Sequence, residues 1–247
     1  MAVRLDQLLV ERGLFPSREQ ARRAVMAGIV RVAGQRVDKP GTAMDGAAQV
    51  EVVGPKEPFA SRAGRKLAAA LDHFALDPNG WVCLDVGAST GGFTDCLLSR
   101  GAARVYALDV GYGQLDRRLR QDPRVVVMER VNARHLAADA LAERCGLITV
   151  DVSFISLTKV VPALLAHLTP SGLLLAMIKP QFEAGRGAVG KGGILRDPGL
   201  RQQVVRSCAQ SLAAQGLELA GLFDSPVTGA GGNRETFALL RAPEDGP

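Results

Sequence analysis

Long apolar runs and closely spaced cysteines are both missing from this 247-residue sequence. The run Leu173–Ile178 has six apolar residues, whereas about 18 are needed to cross a bilayer. Met1–Asp6 carries charges where a secretion signal needs an apolar core. No C-x-x-C spacing relates the four cysteines, which predicts neither a zinc site nor a disulfide framework: Cys83, Cys96, Cys145 and Cys208. These absences favour a cytoplasmic protein with no metal and no membrane partner.

Positive charge is unevenly distributed along the chain. Residues 1–66 contain 12 Lys and Arg against 7 Asp and Glu, whereas residues 67–247 contain 18 of each class. A local excess of this kind is typical of a module that meets a polyanion such as nucleic acid. Solvated helix faces produce the same excess, so charge alone leaves both interpretations open.

The glycine-rich segment Leu84–Thr94 contains the pattern D-x-G-x-x-x-G-G. An apolar run precedes it, an amphipathic run follows, and a second apolar run ends in Asp109, which predicts a strand, turn, helix and strand. Glycines let the backbone approach a ligand closely, and a carboxylate at the next strand end suits ribose hydroxyls. Ser89 replaces the middle glycine of the dinucleotide fingerprint, which weakens a dehydrogenase interpretation. The pattern resembles the S-adenosylmethionine site of Rossmann-like methyltransferases, and a turn without a ligand is the alternative.

Two domains and a linker are predicted. Residues 1–54 contain two helices, of which the second is capped by Ser17 and ended by Gly28, and then short alternating strands. Residues 55–60 form the linker, because two prolines within four residues oppose regular structure. Residues 61–247 form the larger domain, which opens with a helix.

The segment from Arg4 to Val37 resembles the S4 RNA-binding domain in its two helices, its glycine and the pattern V-x-V-x-G-x-x-V. Its second helix carries a basic stripe, because positions four apart share one helix face. The resemblance implies contact with structured RNA, and the predicted RNA-binding residues are Arg4, Arg18, Arg22 and Arg23, with Arg62 and Arg65 at the start of the larger domain. A small helical cap that only packs on the larger domain is the alternative.

From Trp81 onward, strand patterns alternate with helical patterns, and strands are predicted at 81–86, 104–109, 125–128, 147–151, 173–178, 218–223 and 236–241. This alternation predicts an α/β fold: a Rossmann-like, doubly wound methyltransferase sheet, mostly parallel, behind a small α+β domain. Ligands of such sheets bind beyond the carboxyl ends of the strands. Polar residues near those ends, or on segments that lead to them, are Asp85, Asp109, Asn132, Asp151, Lys179, Glu235 and Lys66.

Two lysines and two carboxylates in this set suit the methylation of a hydroxyl. A ribose 2′-hydroxyl is a poor nucleophile that needs a base or a cation for its developing negative charge. A free lysine has a pKa of about 10.4 and is protonated at neutral pH, whereas burial and a second cation lower the pKa of such a group. Methylation of a base carbon needs a cysteine nucleophile, and none of the four cysteines falls at a suitable strand end.

Lys66, Asp151, Lys179 and Glu235 resemble the Lys-Asp-Lys-Glu tetrad of FtsJ-like ribose 2′-O-methyltransferases. Further motifs make the whole chain similar to the TlyA (hemolysin A-like) family of ribosomal RNA 2′-O-methyltransferases. These motifs are S-R-x-G-x-K-L at Ser61–Leu67, D-V-S-F-I-S-L at Asp151–Leu157, K-P-Q-F-E at Lys179–Glu183, K-G-G-x-x-R-D at Lys191–Asp197 and S-P-x-x-G-x-x-G-N-x-E at Ser225–Glu235.

The resemblance implies S-adenosyl-L-methionine as cofactor and ribosomal RNA or ribosomal subunits as partner, with a cytidine of 16S or 23S rRNA, or of both, as target. It makes the four tetrad residues catalytic, with Lys179 taking the hydroxyl proton or stabilising the oxygen. The cofactor residues would be Gly87, Ser89, Gly91, Gly92, Phe93, Asp109, Asn132 and Asp151. A non-catalytic ribosome-assembly factor and a hemolysin are the alternative functions.

Several of these residues also have plain structural interpretations. Lys66 fits an exposed basic residue, Glu235 fits a surface partner of a neighbouring arginine, and Asp85 fits a group that orients the backbone of the turn. The three histidines are isolated in the sequence, which favours surface positions. Gly185–Lys191 fits G-x-x-x-x-G-K but lacks the following Ser or Thr that would hold magnesium, so a flap over the substrate is predicted there instead of a nucleotide-hydrolysis site.

Overall fold

The computed structural model describes residues 2–15, 17–53, 57–185, 189–190, 193–229 and 232–245. The chain divides into two compact units, residues 1–57 and 58–247. Within the described ranges, no helix is long and apolar enough to span a membrane.

The first unit consists of two helices and short strands: β1 (Ala2–Arg4), α1 (Leu5–Glu11), α2 (Arg18–Met26), β2 (Val30–Val32), β3 (Gln35–Arg36), β4 (Ala43–Asp45) and β5 (Val50–Val52). Strands β1 and β4 pair with each other, and β3, β2 and β5 form a second sheet, all antiparallel. A small core joins the helices to β2 through Leu5, Leu9, Ala21, Ala24, Val25 and Val30.

The predicted capping of the second helix is confirmed, since the Ser17 hydroxyl accepts a hydrogen bond from the Gln20 backbone N–H. The first helix begins at Leu5, because Arg4 is extended and pairs with Ala43 of β4. Tertiary pairing with a distant strand therefore overrides the local helical pattern at this point.

The second unit contains α3 (Ala63–His73), β6 (Val82–Val86), α4 (Gly92–Ser99), β7 (Arg104–Asp109), α5 (Arg117–Gln121), β8 (Val125–Glu129), β9 (Cys145–Val150), α6 (Val161–Leu164), β10 (Leu168–Ile178), α7 (Pro180–Glu183), α8 (Pro198–Ala213), β11 (Glu218–Asp224) and β12 (Thr236–Arg241). Its seven strands have the order β11-β12-β10-β9-β6-β7-β8. Strands β6 to β10 pair in parallel, and β12 runs antiparallel to both of its neighbours.

Alternate residues along the central strands pack in two separate hydrophobic cores, one on each face of the sheet. Cys83 packs with α3 and α4 on one face of the sheet, and Leu84 packs on the other face with residues of α6 and α8. This burial on both faces explains the short, nearly continuous apolar runs of the central strands. The predicted α/β fold, with a mostly parallel sheet between helices, is confirmed.

The predicted strands lie close to the observed ones, with two extensions. Strand β9 starts at Cys145 instead of residue 147, and β10 starts at Leu168 instead of residue 173, with an irregular register between Leu168 and Leu173. Pro170 and Gly172 mark a turn in the sequence, and the backbone nevertheless re-enters the sheet on both sides of it.

Some expectations are wrong or fall outside the described residues. His167 is buried, not on the surface, because it precedes β10 at the edge of a core. The predicted linker includes residues 55 and 56, and the predicted flap includes 186–188 and 191, all of which lie outside the described ranges. The four cysteines are free and buried.

Candidate active site and cofactor pocket

The sheet reverses its winding direction between β6 and β9, which are neighbours although β7 and β8 lie between them in the chain. Ligands of open α/β sheets bind at such a switch point, beyond the carboxyl ends of the strands. Gly87 and Asp151 follow these two strands directly, and a Cβ on Gly87 would come within 2.6 Å of the Asp151 carbonyl oxygen. Gly87 also has a φ of 87°, so the turn requires glycine for both space and conformation.

A cavity of about 520 Å³ opens at this switch point. Five of the predicted cofactor residues line it: Gly87, Ser89, Asp109, Asn132 and Asp151. Apolar side chains complete the wall, among them Leu108, Val131 and Ile155. The volume falls within the usual range for small-ligand sites, roughly 300–1,000 Å³.

Asp109 lines this cavity and connects two of the loops that surround it. Its carboxylate accepts hydrogen bonds from the backbone N–H groups of Ser89 (2.8 Å) and Gly111 (2.7 Å). The glycine turn after β6 is thereby tied to the end of β7, and carboxylate lone pairs remain for a ligand. A carboxylate, a backbone turn and apolar walls form a donor and acceptor set that suits a nucleoside.

The remaining glycines of the motif serve mainly packing. Gly91 does not line this cavity, and a Cβ there would come within 2.3 Å of Leu119. A Cβ on Gly92 would come within 2.2 Å of the Ser61 hydroxyl, so Gly92 allows the close contact of α4 with the segment that leads into α3.

Asp85 lies behind the turn and is fully buried. Its carboxyl accepts hydrogen bonds from the hydroxyls of Thr94 (2.7 Å) and Thr149 (3.3 Å). Burial raises the pKa of Asp85 to about 7, although the hydrogen bond from Thr94 opposes this rise. Its position fits the structural interpretation of this residue and excludes direct contact with a ligand in the cavity.

Lys179 and Asp151 form the first of two ion pairs that contain the tetrad residues. The Lys179 ammonium lies 2.6 Å from Asp151 Oδ1 and donates a hydrogen bond to the Ser153 hydroxyl at 3.0 Å. Both side chains are largely but not fully buried, with 11% and 15% of their surface exposed. The ammonium is thus held in place while one side stays accessible.

Lys66 and Glu235 form the second pair, with 2.5 Å between Nζ and Oε2. The plain interpretations, an exposed lysine and a glutamate paired with a neighbouring arginine, are both wrong, because each side chain is buried against the other. The two pairs belong to adjacent strand ends. Ile178 pairs with Thr236 in the sheet, so Lys179 and Glu235 occupy the next opposed positions.

A smaller cavity of about 210 Å³ connects Lys179 to the glycine turn. Gly92, Phe93, Ser61 and Lys179 line it, and it shares Gly87, Ser89, Asp151 and Ser153 with the larger cavity. The four tetrad residues therefore form two ion pairs. Asp151 lines both cavities and Lys179 lines the smaller one, whereas Lys66 and Glu235 line neither of these two cavities.

The sequence motifs did not single out the aromatic residue at the rim. Phe154 is 90% exposed, lines the larger cavity and has a φ of 65°, a conformation that non-glycine residues rarely adopt. Its ring centroid lies 5.0 Å from that of Phe182, which follows Lys179 on α7. Phe154 lies in the motif D-V-S-F, but neither the motif nor its periodicity indicates exposure, and phenylalanine is among the residues most often buried.

The predicted RNA-binding arginines differ in their surroundings. Arg4 and Arg18 both bond to Asp6, and Arg23 pairs with Glu19 of the same helix. Arg22 and Arg62 are exposed, and Arg65 is partly buried. Within each unit these side chains keep solvent-accessible charge.

Comparison with known proteins gives two family matches. The FtsJ-like methyltransferase family matches residues 59–242, and the S4 domain matches residues 3–50. The "16S/23S rRNA (cytidine-2′-O)-methyltransferase TlyA" of Mycobacterium tuberculosis is 47% identical over 98% of this chain and 91% of its own length. "Hemolysin A" of Brachyspira hyodysenteriae is 41% identical over 96% of this chain and 98% of its own length. A solved structure, "Putative hemolysin from Streptococcus thermophilus", superposes with a TM-score of 0.79 at 42% identity, covering 100% of this chain and 90% of that one.

Proposed function

Because the chain belongs to the FtsJ-like methyltransferase family, we propose that it transfers a methyl group from S-adenosylmethionine to a ribose 2′-hydroxyl of ribosomal RNA. The observation that carries this proposal is Lys179, which lines the smaller cavity and lies 2.6 Å from Asp151, a residue that lines both cavities. The M. tuberculosis relative is named for action on cytidine in 16S and 23S rRNA, and we propose cytidine in one or both of these RNAs as the target here.

The larger cavity is proposed to hold the cofactor. Asp109 would accept hydrogen bonds from the ribose hydroxyls, while Gly87 and Ser89 offer backbone at close range. Asn132 would contact the adenine, although its side chain also accepts a bond from the Arg134 backbone N–H. Gly91, Gly92 and Phe93 would act through the shape of the turn and the start of α4. When bound, S-adenosylmethionine supplies an electrophilic methyl group on a sulfonium.

Lys179 is proposed to act on the attacking hydroxyl. A neutral amine at this point would receive the hydroxyl proton, whereas an ammonium would stabilise the negative charge that develops on the oxygen. The Asp151 carboxylate holds the Lys179 ammonium on one side, and the Ser153 hydroxyl accepts a hydrogen bond from the same ammonium. Such preorganised charge is most effective where water is largely excluded, and both side chains are mostly buried. Transfer would be in line, with no covalent enzyme intermediate.

Lys66 and Glu235 are proposed to complete the tetrad. Glu235 lies opposite Lys179 at the end of the strand pairing, and its negative charge offsets the repulsion that the second buried ammonium, Lys66 of α3, would exert. Removal of either charge would change the electrostatic field at Lys179 and would also leave its partner buried and unpaired.

RNA is proposed as the substrate because of the S4 domain and the arginines named above. Phe154 supports this proposal at the site itself. Its exposed ring lies on the rim of the cofactor cavity, where an unstacked base could pack against it.

A methyl-transfer assay would test the function. Unmodified 30S and 50S subunits and their naked RNAs would be incubated with the protein and S-adenosylmethionine labelled in the methyl group. A 2′-O-methyl group protects the neighbouring phosphodiester from alkaline hydrolysis, so the modified position can be mapped. Label on a base, or no label in any substrate, would contradict the proposal.

A further inference from the structure

A buried carboxylate lies between two of the arginines of the first unit. Asp6 is fully buried in the first turn of α1, whereas the side chains of Arg4 and Arg18 remain 51% and 56% exposed. Arg4 donates to both carboxylate oxygens, through Nε at 3.1 Å and Nη2 at 3.0 Å. Arg18 donates to Oδ2 at 3.2 Å.

Backbone contacts hold this carboxylate in place. The N–H groups of Leu5 and Asp6 donate to the carbonyl oxygens of Thr42 and Pro40. The guanidinium of Arg4 packs over Gly41, where a Cβ would come within 3.0 Å of it. Asp6 is thus fixed to the loop before β4, and the two arginines are fixed to Asp6.

The hydrogen bonds leave most arginine donors available. A guanidinium has five N–H donors, of which Arg4 uses two and Arg18 one on Asp6. Two cations share one anion, so the cluster keeps net positive charge at the surface. Long arginine side chains lose conformational entropy when they bind a phosphate, and a side chain already held in place loses less.

We infer that Asp6 is a positioning residue, which presents Arg4 and Arg18 to phosphates of the RNA. The inference rests on the proposed function, because it assumes that RNA is the partner of this unit. The inference also predicts the direction in which RNA affinity changes when the negative charge of Asp6 is removed. Removal of a negative charge from an RNA-binding surface strengthens binding if only net charge matters, whereas loss of a positioning carboxylate weakens it.

The test compares Asp6→Asn with Glu11→Gln in the full-length protein. Both substitutions remove one negative charge from α1, but Glu11 is exposed and bonds only to Gln7 among the described residues. Binding to unmodified 16S and 23S rRNA transcripts would be measured over a range of salt concentrations. Asp6→Asn is expected to weaken binding about fivefold to tenfold and to flatten the salt dependence, whereas Glu11→Gln leaves binding unchanged or tighter.

A coupling measurement separates positioning from a general structural effect. In a protein that already carries Arg4→Ala and Arg18→Ala, Asp6→Asn is expected to have little further effect on RNA affinity, because the residues through which it acts are gone. At saturating RNA concentration, the Asp6→Asn protein should transfer methyl groups at the same rate as the unmodified protein. Only the KM for RNA depends on the contacts of Asp6 with Arg4 and Arg18.

Thermal unfolding of each variant would establish that the first unit is folded at the assay temperature. If Asp6→Asn is not folded, Asp6→Glu replaces it, since this variant keeps the charge and moves the carboxylate by one C–C bond. Weaker RNA binding is again expected.

Two outcomes would overturn the inference alone. One is a folded Asp6 variant that binds RNA as tightly as the unmodified protein, or more tightly. The other is the same loss of affinity on substitution of Asp6 with and without the two arginines. Failure of the unmodified protein to bind rRNA would overturn the proposed function as well.

Discussion

The Lys66 ammonium and the Glu235 carboxylate lie 2.5 Å apart although 169 positions separate them in the chain. Both are buried, Lys66 on α3 and Glu235 directly before β12. A buried pair of this kind is sensitive to the loss of one partner, because the other charge then remains in a site of low dielectric.

Glu235→Gln is therefore expected to destabilise the protein by about 3–5 kcal/mol. Urea unfolding would measure this change. The matched control is Asp72→Asn, which breaks the more exposed pair of Asp72 with Arg100 and should cost less than about 1 kcal/mol. Equal effects of the two substitutions would contradict the buried pairing.

Lys179→Ala is expected to lower the rate of methyl transfer by about 10²–10⁴-fold, because the hydroxyl loses the group that receives its proton or stabilises its charge. The Kd for S-adenosylmethionine, measured by calorimetry, should change little. Lys159→Ala removes an exposed lysine from the same unit and should leave both quantities unchanged. Full turnover by Lys179→Ala would refute the assignment.

Asp109→Ala is expected to weaken binding of S-adenosylmethionine about 10- to 100-fold, because charged hydrogen bonds contribute about 1.5–3 kcal/mol each. The substitution also frees the N–H groups of Ser89 and Gly111. Calorimetric titration would report the affinity, with the exposed Asp139 replaced by Ala as control. An unchanged affinity would place the cofactor elsewhere.

The raised pKa of Asp85 predicts how the free energy of unfolding depends on pH. Its pKa in the folded protein, about 7, lies above the ordinary value of 3.8, so the folded state retains a proton that the unfolded state has lost. The contribution of Asp85 is fully present below pH 3.8 and is lost as pH rises to about 7, by up to about 1.4 kcal/mol per pH unit. Above that pH it is constant.

Asp85→Asn removes this titration. The difference in unfolding free energy between the unmodified protein and the variant should fall between about pH 4 and pH 7 and then level off. His167, whose pKa burial lowers, titrates in both proteins and cancels in the difference. A pH-independent difference would show that Asp85 does not titrate in this range.

Arg22→Ala is expected to weaken binding to rRNA and to reduce the slope of log K against log salt by about 0.7–0.9, the value of one phosphate contact. Arg22 is exposed on α2 and makes no ion pair with another described residue. Arg206→Ala, at an exposed position of α8, serves as control. An unchanged slope for Arg22→Ala would remove this residue from the RNA-binding surface.

Local patterns predicted most of the fold. The glycine turn, the serine cap of α2 and the seven strands of the large sheet all follow from neighbouring residues, because turn geometry, capping and strand burial act over a few positions. Strand β1 was missed, since its only support is the pairing of Ala2–Arg4 with β4, some forty positions away.

The candidate site was predicted from motifs as a set of residues, but not as a geometry. Phe154 follows Asp151 in one motif, and nothing in its neighbours indicated that the ring would be 90% exposed. Asp6 lies in the S4-like segment, but its carboxylate binds a second arginine only because α2, which begins twelve residues later, places Arg18 beside it.

The order of residues along the chain fixes the chemistry available to this protein: two lysines, two carboxylates, a glycine turn and a surplus of arginine in its first quarter. Tertiary structure decided which charges meet. Strand β12 sets Glu235 opposite Lys179, and the parallel neighbours β9 and β10 bring Asp151 and Lys179 to the same edge of the sheet. Helix α3, which packs on one face of the sheet, carries Lys66 to Glu235. Such pairings depend on strand order and register, which are properties of the whole sheet and have no local signature.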